Sequence, residues 1–262
     1  MLLFFDIDGT IFDDQRRLPE SVKPAMEKAR SNGHRLIVNT GRTLCNMDRR
    51  LDDFPLDGWI MGCGTRVIYQ GETLTSMEYS LEKSLALMNL NAEMKLRIVY
   101  ECDTAIYFDP RIPDDRDMRA FRDFAQQHGI ARTIRRDDPE FRIVKMFCFA
   151  DEETIRELEE RTKTLGMPYT AIDRGSGAWE IVPVGYSKGT GIDFLRKKLG
   201  MSCEECFAFG DSRNDLPMFR HAGHSIAMGN ASDDVKAVCT YVTARPEEDG
   251  IEKAMRHFSL IG

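Results

Sequence analysis

Short apolar runs alternate with stretches of helical period at both ends of the chain. The runs at 2–5 (LLFF), 35–39 (RLIVN), 59–61, 206–209 (CFAF), 225–228 and 241–243 predict β-strands. The stretches at 21–32, 43–54, 190–199, 215–222, 232–238 and 251–257 predict helices between them. Strands that lack polar alternation are buried on both faces, so the alternation predicts an α/β fold, a parallel sheet flanked by helices.

The middle of the chain has another texture. A helix opening at Leu81 precedes two adjacent strands at 96–101 and 105–108, a helix over 118–127 and a strand over 142–149. A further helix opens at the acidic Asp151-Glu152-Glu153, where negative charge favours a helix start. Strands at 169–173 and 178–182, joined by Arg174-Gly175-Ser176-Gly177, read as a closing hairpin. The pattern predicts an α+β module at 81–184 inserted into a main domain made of 1–80 and 185–262.

A chain of 262 residues is long enough to bury a sizeable core. Its net charge of −7 provides no electrostatic footprint for nucleic acid, so an anionic ligand requires a local positive site. No stretch approaches the ~18 apolar residues of a membrane span, and the N-terminal run is too short for a signal peptide. These features predict a soluble, cytoplasmic protein with neither nucleic-acid nor membrane partners, and leave its oligomeric state open. The seven cysteines are odd in number and scattered, as where thiols stay reduced. Cys203-Glu-Glu-Cys206 has no second ligand pair at zinc spacing, and His221-Ala-Gly-His224 reads as a helix end.

The polar residues that follow the apolar runs carry the chemistry. Asp6 and Asp8 follow the first run at i, i+2, a spacing that points both to one side of an extended chain. Ligands of open α/β sheets bind outside the carboxyl ends of strands, and two adjacent carboxylates call for a hard cation such as Mg²⁺. Thr40-Gly41-Arg42 follows the second strand with a hydroxyl and backbone amides suited to phosphate oxygens. Gly210-Asp211-Ser212-Arg213-Asn214-Asp215 follows the strand at 206–209 and adds carboxylates. Lys188 stands at the front of a helix, where the helix dipole disfavours a cation and a bound anion would offset the cost.

Together these segments resemble the haloacid dehalogenase (HAD) superfamily, and more narrowly its Cof-type phosphatases with a class IIB cap. Asp6 to Thr10 (DIDGT) is similar to the first signature motif, Thr40-Gly41-Arg42 to the second, Lys188 to the third, and GDSRND at 210–215 to the fourth. Ala227-Met228-Gly229-Asn230-Ala231 is similar to a further segment of the Cof group. The resemblance implies a Rossmann-like core plus a cap that chooses the substrate. It implies Asp6 as nucleophile, forming an aspartyl phosphate, and Asp8 as the proton carrier. It implies Mg²⁺ on Asp6, Asp8 through its carbonyl, Asp211 and, in support, Asp215. Thr40, Gly41, Lys188 and Asn214 become the phosphate-binding set, and a small phosphorylated metabolite the substrate. Dehalogenases of the superfamily lack the second aspartate, since halide needs no proton, so Asp8 argues for an oxygen leaving group.

One position departs from the family. Cys63 stands where Cof proteins usually carry Asn, which removes an amide from that loop. In the insert, Arg142, Lys145, Asp173, Arg174 and Trp179 are candidates for reading the substrate, each with a packing or solvated role as its alternative. Two other functions fit the same motifs, a sugar phosphomutase and a non-catalytic phosphometabolite-binding protein. GDSRND is more similar to the hydrolytic group than to the mutases, and the intact Asp6, Asp8, Lys188, Asp211 and Asp215 argue against a non-catalytic protein.

Overall fold

The computed structural model describes residues 1–112 and 115–262. The chain divides into two compact units. The first is Met1–Gly41, Asp48–Ser76 and Tyr186–Gly262, and the second is Arg42–Met47 and Met77–Gly185.

Along the chain, the first unit begins with β1 (Leu2–Phe5), α1 (Val22–Ser31), β2 (Arg35–Asn39), β3 (Gly58–Met61), β4 (Arg66–Tyr69) and β5 (Glu72–Ser76). The second unit carries α2 (Leu81–Glu93), β6 (Arg97–Glu101), β7 (Ile106–Phe108), α3 (Arg116–Gln127), β8 (Ala131–Thr133), β9 (Lys145–Phe149), α4 (Glu152–Thr164), β10 (Tyr169–Gly175) and β11 (Ala178–Pro183). The first unit resumes with α5 (Lys188–Lys198), β12 (Cys206–Gly210), α6 (Leu216–Arg220), β13 (His224–Ala227), α7 (Asp233–Lys236), β14 (Tyr241–Val242) and α8 (Gly250–His257).

The sheet of the first unit runs β14-β13-β12-β1-β2-β3-β4-β5. Pairing is parallel from β14 to β3, then antiparallel through β4 and β5. All four residues of β1 are buried, as a central strand covered on both faces demands. Leu2 and Phe4 join Ile37, Ile60, Ile192, Leu195 and Met218 in the core on the α5–α6 side. Phe5 points the other way and stacks on Phe209, with ring centroids 4.7 Å apart.

The sheet of the second unit runs β10-β11-β9-β6-β7-β8, antiparallel except between β7 and β8. Alternation along β6 sorts its two faces. Ile98 and Tyr100 pack with Leu87 and Leu90 of α2 and Ile155 and Leu158 of α4, whereas Val99 packs with Met118 and Ala125 of α3. Ser80, Asp115 and Asp151 cap α2, α3 and α4 with side-chain acceptors.

Three expectations need correction. The stretch 43–54 is not an α-helix but two 3₁₀ turns, Leu44–Asn46 and Arg49–Leu51, with Met47 extended between them. The Asp48 carboxylate accepts the Arg50 backbone N–H at 3.0 Å and so competes with the helical pattern. The strand expected over 142–149 starts at Lys145, because Phe141 and Arg142 turn back on Asp138 and Glu140. The core sheet is not wholly parallel, since the β4–β5 hairpin closes one edge.

Candidate active site

β1 lies between β2 and β12 with all three parallel, so Phe5 pairs Val38 on one side and Phe209 on the other. Their carboxyl ends therefore come together, followed by Asp6, Thr40 and Asp211. The chain leaves β1 towards β2 while β12 returns on its other side, which is the crevice where open α/β sheets bind ligands.

Lys188 crosses into this crevice from the first turn of α5. Its Nζ stands 2.7 Å from Asp6 Oδ1 and 2.6 Å from Asp215 Oδ1, with Lys188 and Asp215 both fully buried. The two carboxylates offset the cost of a cation at a helix front. Burial pulls the Lys188 ammonium towards neutrality, but Asp215 and Asp6 outweigh it and hold the group charged, well above its ordinary pKa. The other oxygen of Asp215 accepts the backbone N–H groups of Asp211 and Ser212, each at 3.0 Å.

Asp6, Asp211 and Asp215 each place a carboxylate oxygen within 4.8 Å of the other two. Burial, opposed by Lys188 and reinforced by the charges of Asp215 and Asp8, raises Asp6 to about 7. A single ammonium does not neutralise this set. Its oxygen donors and residual negative charge fit a divalent cation. The fit extends to the backbone: Gly9 has a φ of +80°, and a Cβ there would fall on the Asp211 carboxylate. The Thr10 hydroxyl donates to Asp211 Oδ1 at 3.3 Å.

The remaining candidates lie in the segments that follow β1, β2 and β12. Thr40 is buried beyond β2; its N–H bonds the Ile60 carbonyl at 2.8 Å and its carbonyl accepts the Cys63 N–H at 3.1 Å. Gly41 follows it directly. Asn214 is buried and accepts the Ser212 hydroxyl at 2.7 Å. Asp8, partly exposed, bridges to Phe12. Cys63 is buried in the left-handed region (φ 56°, ψ 43°), where Asn is tolerated better than most side chains.

Three residues at the site carry no role in the sequence reading. Asn230 Nδ2 donates to the Gly9 carbonyl at 3.0 Å and to Asp14 at 3.1 Å, tying the loop after β1 to that after β13. Its segment was visible as a motif, but nothing in the motif specifies a partner. Arg50 lies 4.1 Å over the Phe12 ring, paired with Asp48 and with its charge further supported by Asp8. No local pattern announces it. Asn39 ends the apolar run of β2 as a fully buried amide, and that mismatch of polarity was the available signal.

The other candidates separate. Cys203 and Cys206 bond different carbonyls, of His221 and Ser202. His221 pairs Asp193 at 3.0 Å while His224 stacks on Phe207, so neither pair forms a ligand set. In the second unit Lys145 is buried between Glu101 (2.8 Å) and Glu180 (3.4 Å), and Arg174 pairs Glu180 at 3.0 Å. Arg142 pairs Glu78, Asp173 Oδ1 accepts the Gly175 N–H at 2.7 Å, and the Trp179 indole donates to the Ala150 carbonyl. Among the described residues no helix is long and apolar enough to cross a membrane.

A family model described as haloacid dehalogenase-like hydrolase matches residues 3–255. The HMP-PP phosphatase of Klebsiella pneumoniae (strain 342) is 28% identical over 243 residues, covering 90% of this chain and 86% of its own. The 5-amino-6-(5-phospho-D-ribitylamino)uracil phosphatase YwtE of Bacillus subtilis (strain 168) is 28% identical over 273 residues, 94% of this chain and 93% of its own. Among solved structures, the HAD subclass IIB sugar phosphatase BT4131 aligns with a TM-score of 0.82 at 28% identity, over 99% of both chains. The chain belongs to the haloacid dehalogenase-like hydrolases and is an enzyme of their phosphatase type. Phosphatases of this family generally use a divalent metal.

Proposed function

We propose that this protein hydrolyses phosphate monoesters of small metabolites with Mg²⁺, through an aspartyl phosphate on Asp6, and that the 81–184 insert selects the substrate as a cap domain. The observation that carries the reading is the buried Asp6–Lys188–Asp215 arrangement beside Asp211. In the first step an Asp6 oxygen attacks phosphorus and the ester oxygen leaves, taking a proton from Asp8. In the second, water attacks the phosphorus of the acyl phosphate while Asp8 takes its proton, which frees inorganic phosphate and restores Asp6. Thr40, the Gly41 amide and Lys188 hold the non-bridging oxygens, and Asn214 orients them. Asp6, the Asp8 carbonyl and Asp211 would hold the metal, with Asp215 in support. Bound there, the metal supplies positive charge against the phosphoryl oxygens. The named relatives, phosphatases of a sugar, of HMP-PP and of a ribitylaminouracil phosphate, support a small phosphorylated metabolite as substrate.

The test is phosphate release from p-nitrophenyl phosphate. Wild-type protein with Mg²⁺ should turn it over, EDTA should stop the reaction, and Asp6→Asn should abolish it. Undiminished turnover by Asp6→Asn would defeat the assignment.

A further inference from the structure

Asn39 is a polar side chain in an apolar layer. It follows Ile37 by two residues on β2 and therefore shares its face. There Ile37 packs with Ile60, Ile192, Leu195 and Met218. Burying an amide in such a layer is unfavourable unless it is fully bonded. Asn39 is completely buried and only half bonded. Its Nδ2 donates to the main-chain carbonyl of Lys188 at 2.9 Å and sits 3.7 Å from Met218 Sδ. Its Oδ1 has no hydrogen-bond partner. The Lys188 carbonyl can only accept, so the NH₂ end must face it and the oxygen is left buried without a partner.

That carbonyl also lies in the first turn of α5, within the helix's own hydrogen-bond pattern. The Asn39 bond is therefore an additional one, made at the expense of an orphaned oxygen. Its geometry has another consequence. Asn39 is joined to Thr40 by one peptide bond and to Lys188 by one hydrogen bond, so it links the two side chains assigned to the phosphoryl oxygens. We propose that Asn39 is a positioning residue for phosphoryl transfer: its amide grips the main chain of Lys188 and fixes where the ammonium stands between Asp6 and Asp215. This inference rests on the phosphatase reading and on Lys188 as a phosphoryl ligand.

The experiment compares wild type with Asn39→Leu, an apolar side chain of similar size, using p-nitrophenyl phosphate, Mg²⁺ and orthovanadate as a mimic of the transferring phosphoryl group. Asn39→Leu should melt no lower than wild type, because the orphaned oxygen is gone. Its kcat should fall about tenfold or more with KM changed less than about threefold, and the orthovanadate Ki should rise in step with the loss of kcat. Wild-type kcat and Ki in the variant would overturn the proposal. So would a lower kcat with an unchanged Ki, which is the signature of fewer folded molecules. If Asn39→Leu fails to fold, Asn39→Ala, assayed below its own melting temperature, reads the same two constants. A wild-type protein that releases no phosphate would instead defeat the phosphatase reading itself.

Discussion

Lys188 Nζ lies 2.7 Å from Oδ1 of Asp6, and the lysine is entirely shielded from solvent. An exposed pair of this kind would contribute little, but here Lys188 is the buried counter-charge that Asp6 shares with Asp215, and its loss would leave both carboxylates uncompensated. The contact thus joins folding to chemistry, because the proposed nucleophile and the proposed phosphoryl ligand hold each other in place.

Lys188→Met tests both sides of that coupling. Leaving Asp6 and Asp215 without their shared counter-charge should cost about 3–5 kcal/mol of stability in denaturant melts. Phosphate release should fall by about 10²-fold or more in kcat, as for loss of a preorganised charge at a transition state. A variant with wild-type stability and kcat would contradict the role.

A divalent cation at the Asp6, Asp211 and Asp215 oxygens should stabilise the fold by mass action. Adding Mg²⁺ to EDTA-treated protein should raise Tm saturably, and Asp211→Asn should lose most of that rise. A Tm indifferent to Mg²⁺ at millimolar concentrations would argue against the site.

Asp8 as proton carrier predicts a dependence on the leaving group. In kcat/KM, which reports the phosphorylation step and not the shared hydrolysis of the acyl phosphate, Asp8→Asn should lose about 10²–10⁴-fold with an alkyl phosphate, whose alkoxide needs the proton, and clearly less with p-nitrophenyl phosphate. Equal losses on the two substrates would show that Asp8 acts otherwise.

A stability effect separate from the chemistry comes from Asp13. Burial pushes its carboxyl up, but the backbone N–H of Arg17, the Arg17 side chain and the Gln15 N–H outweigh this and hold it below its ordinary value. The hydrogen bonds are 2.8 Å, 2.7 Å and 2.9 Å. A depressed carboxyl stabilises above its unfolded pKa of about 3.9, and the contribution disappears as pH falls through the folded value. Wild type should therefore exceed Asp13→Asn in Tm from pH 5 to 8, with the gap closing below about pH 4. A gap that persists in acid would contradict the assignment.

The core strands were legible because each apolar run stops at a polar turn: LLFF at Asp6, LIVN at Thr40, CFAF just before Gly210-Asp211. That same pattern singles out Asp6, Asp211 and Asp215, and the misplaced charge at a helix front singles out Lys188; the fold sets Lys188 against Asp6 and Asp215 and all three carboxylates near one another. Local pattern failed where nonlocal or side-chain terms decide. Leu44, Met47, Leu51 and Phe54 have helical spacing, but Asp48 captures the Arg50 N–H and breaks the run. The β4–β5 hairpin turns on Gln70 and Gly71, both at positive φ (50° and 81°), and only the Gly of that pair is a usual turn signal. β8 pairs β7 through a three-residue strand, Ala131–Thr133, whose Arg132 and Thr133 are exposed, so it has no apolar signature. At Cys63 the sequence shows only a missing amide, whereas its left-handed backbone and the N–H it donates to the Thr40 carbonyl depend on the fold.

The central claim is a double displacement through Asp6, and the stereochemical course at phosphorus tests it most directly. A phosphorothioate monoester made chiral at phosphorus with ¹⁶O and ¹⁸O, turned over with Mg²⁺ in ¹⁷O-labelled water, should yield inorganic thiophosphate with retained configuration, since two in-line displacements each invert. Net inversion would mean that water attacks the substrate directly, and would contradict an aspartyl phosphate on Asp6.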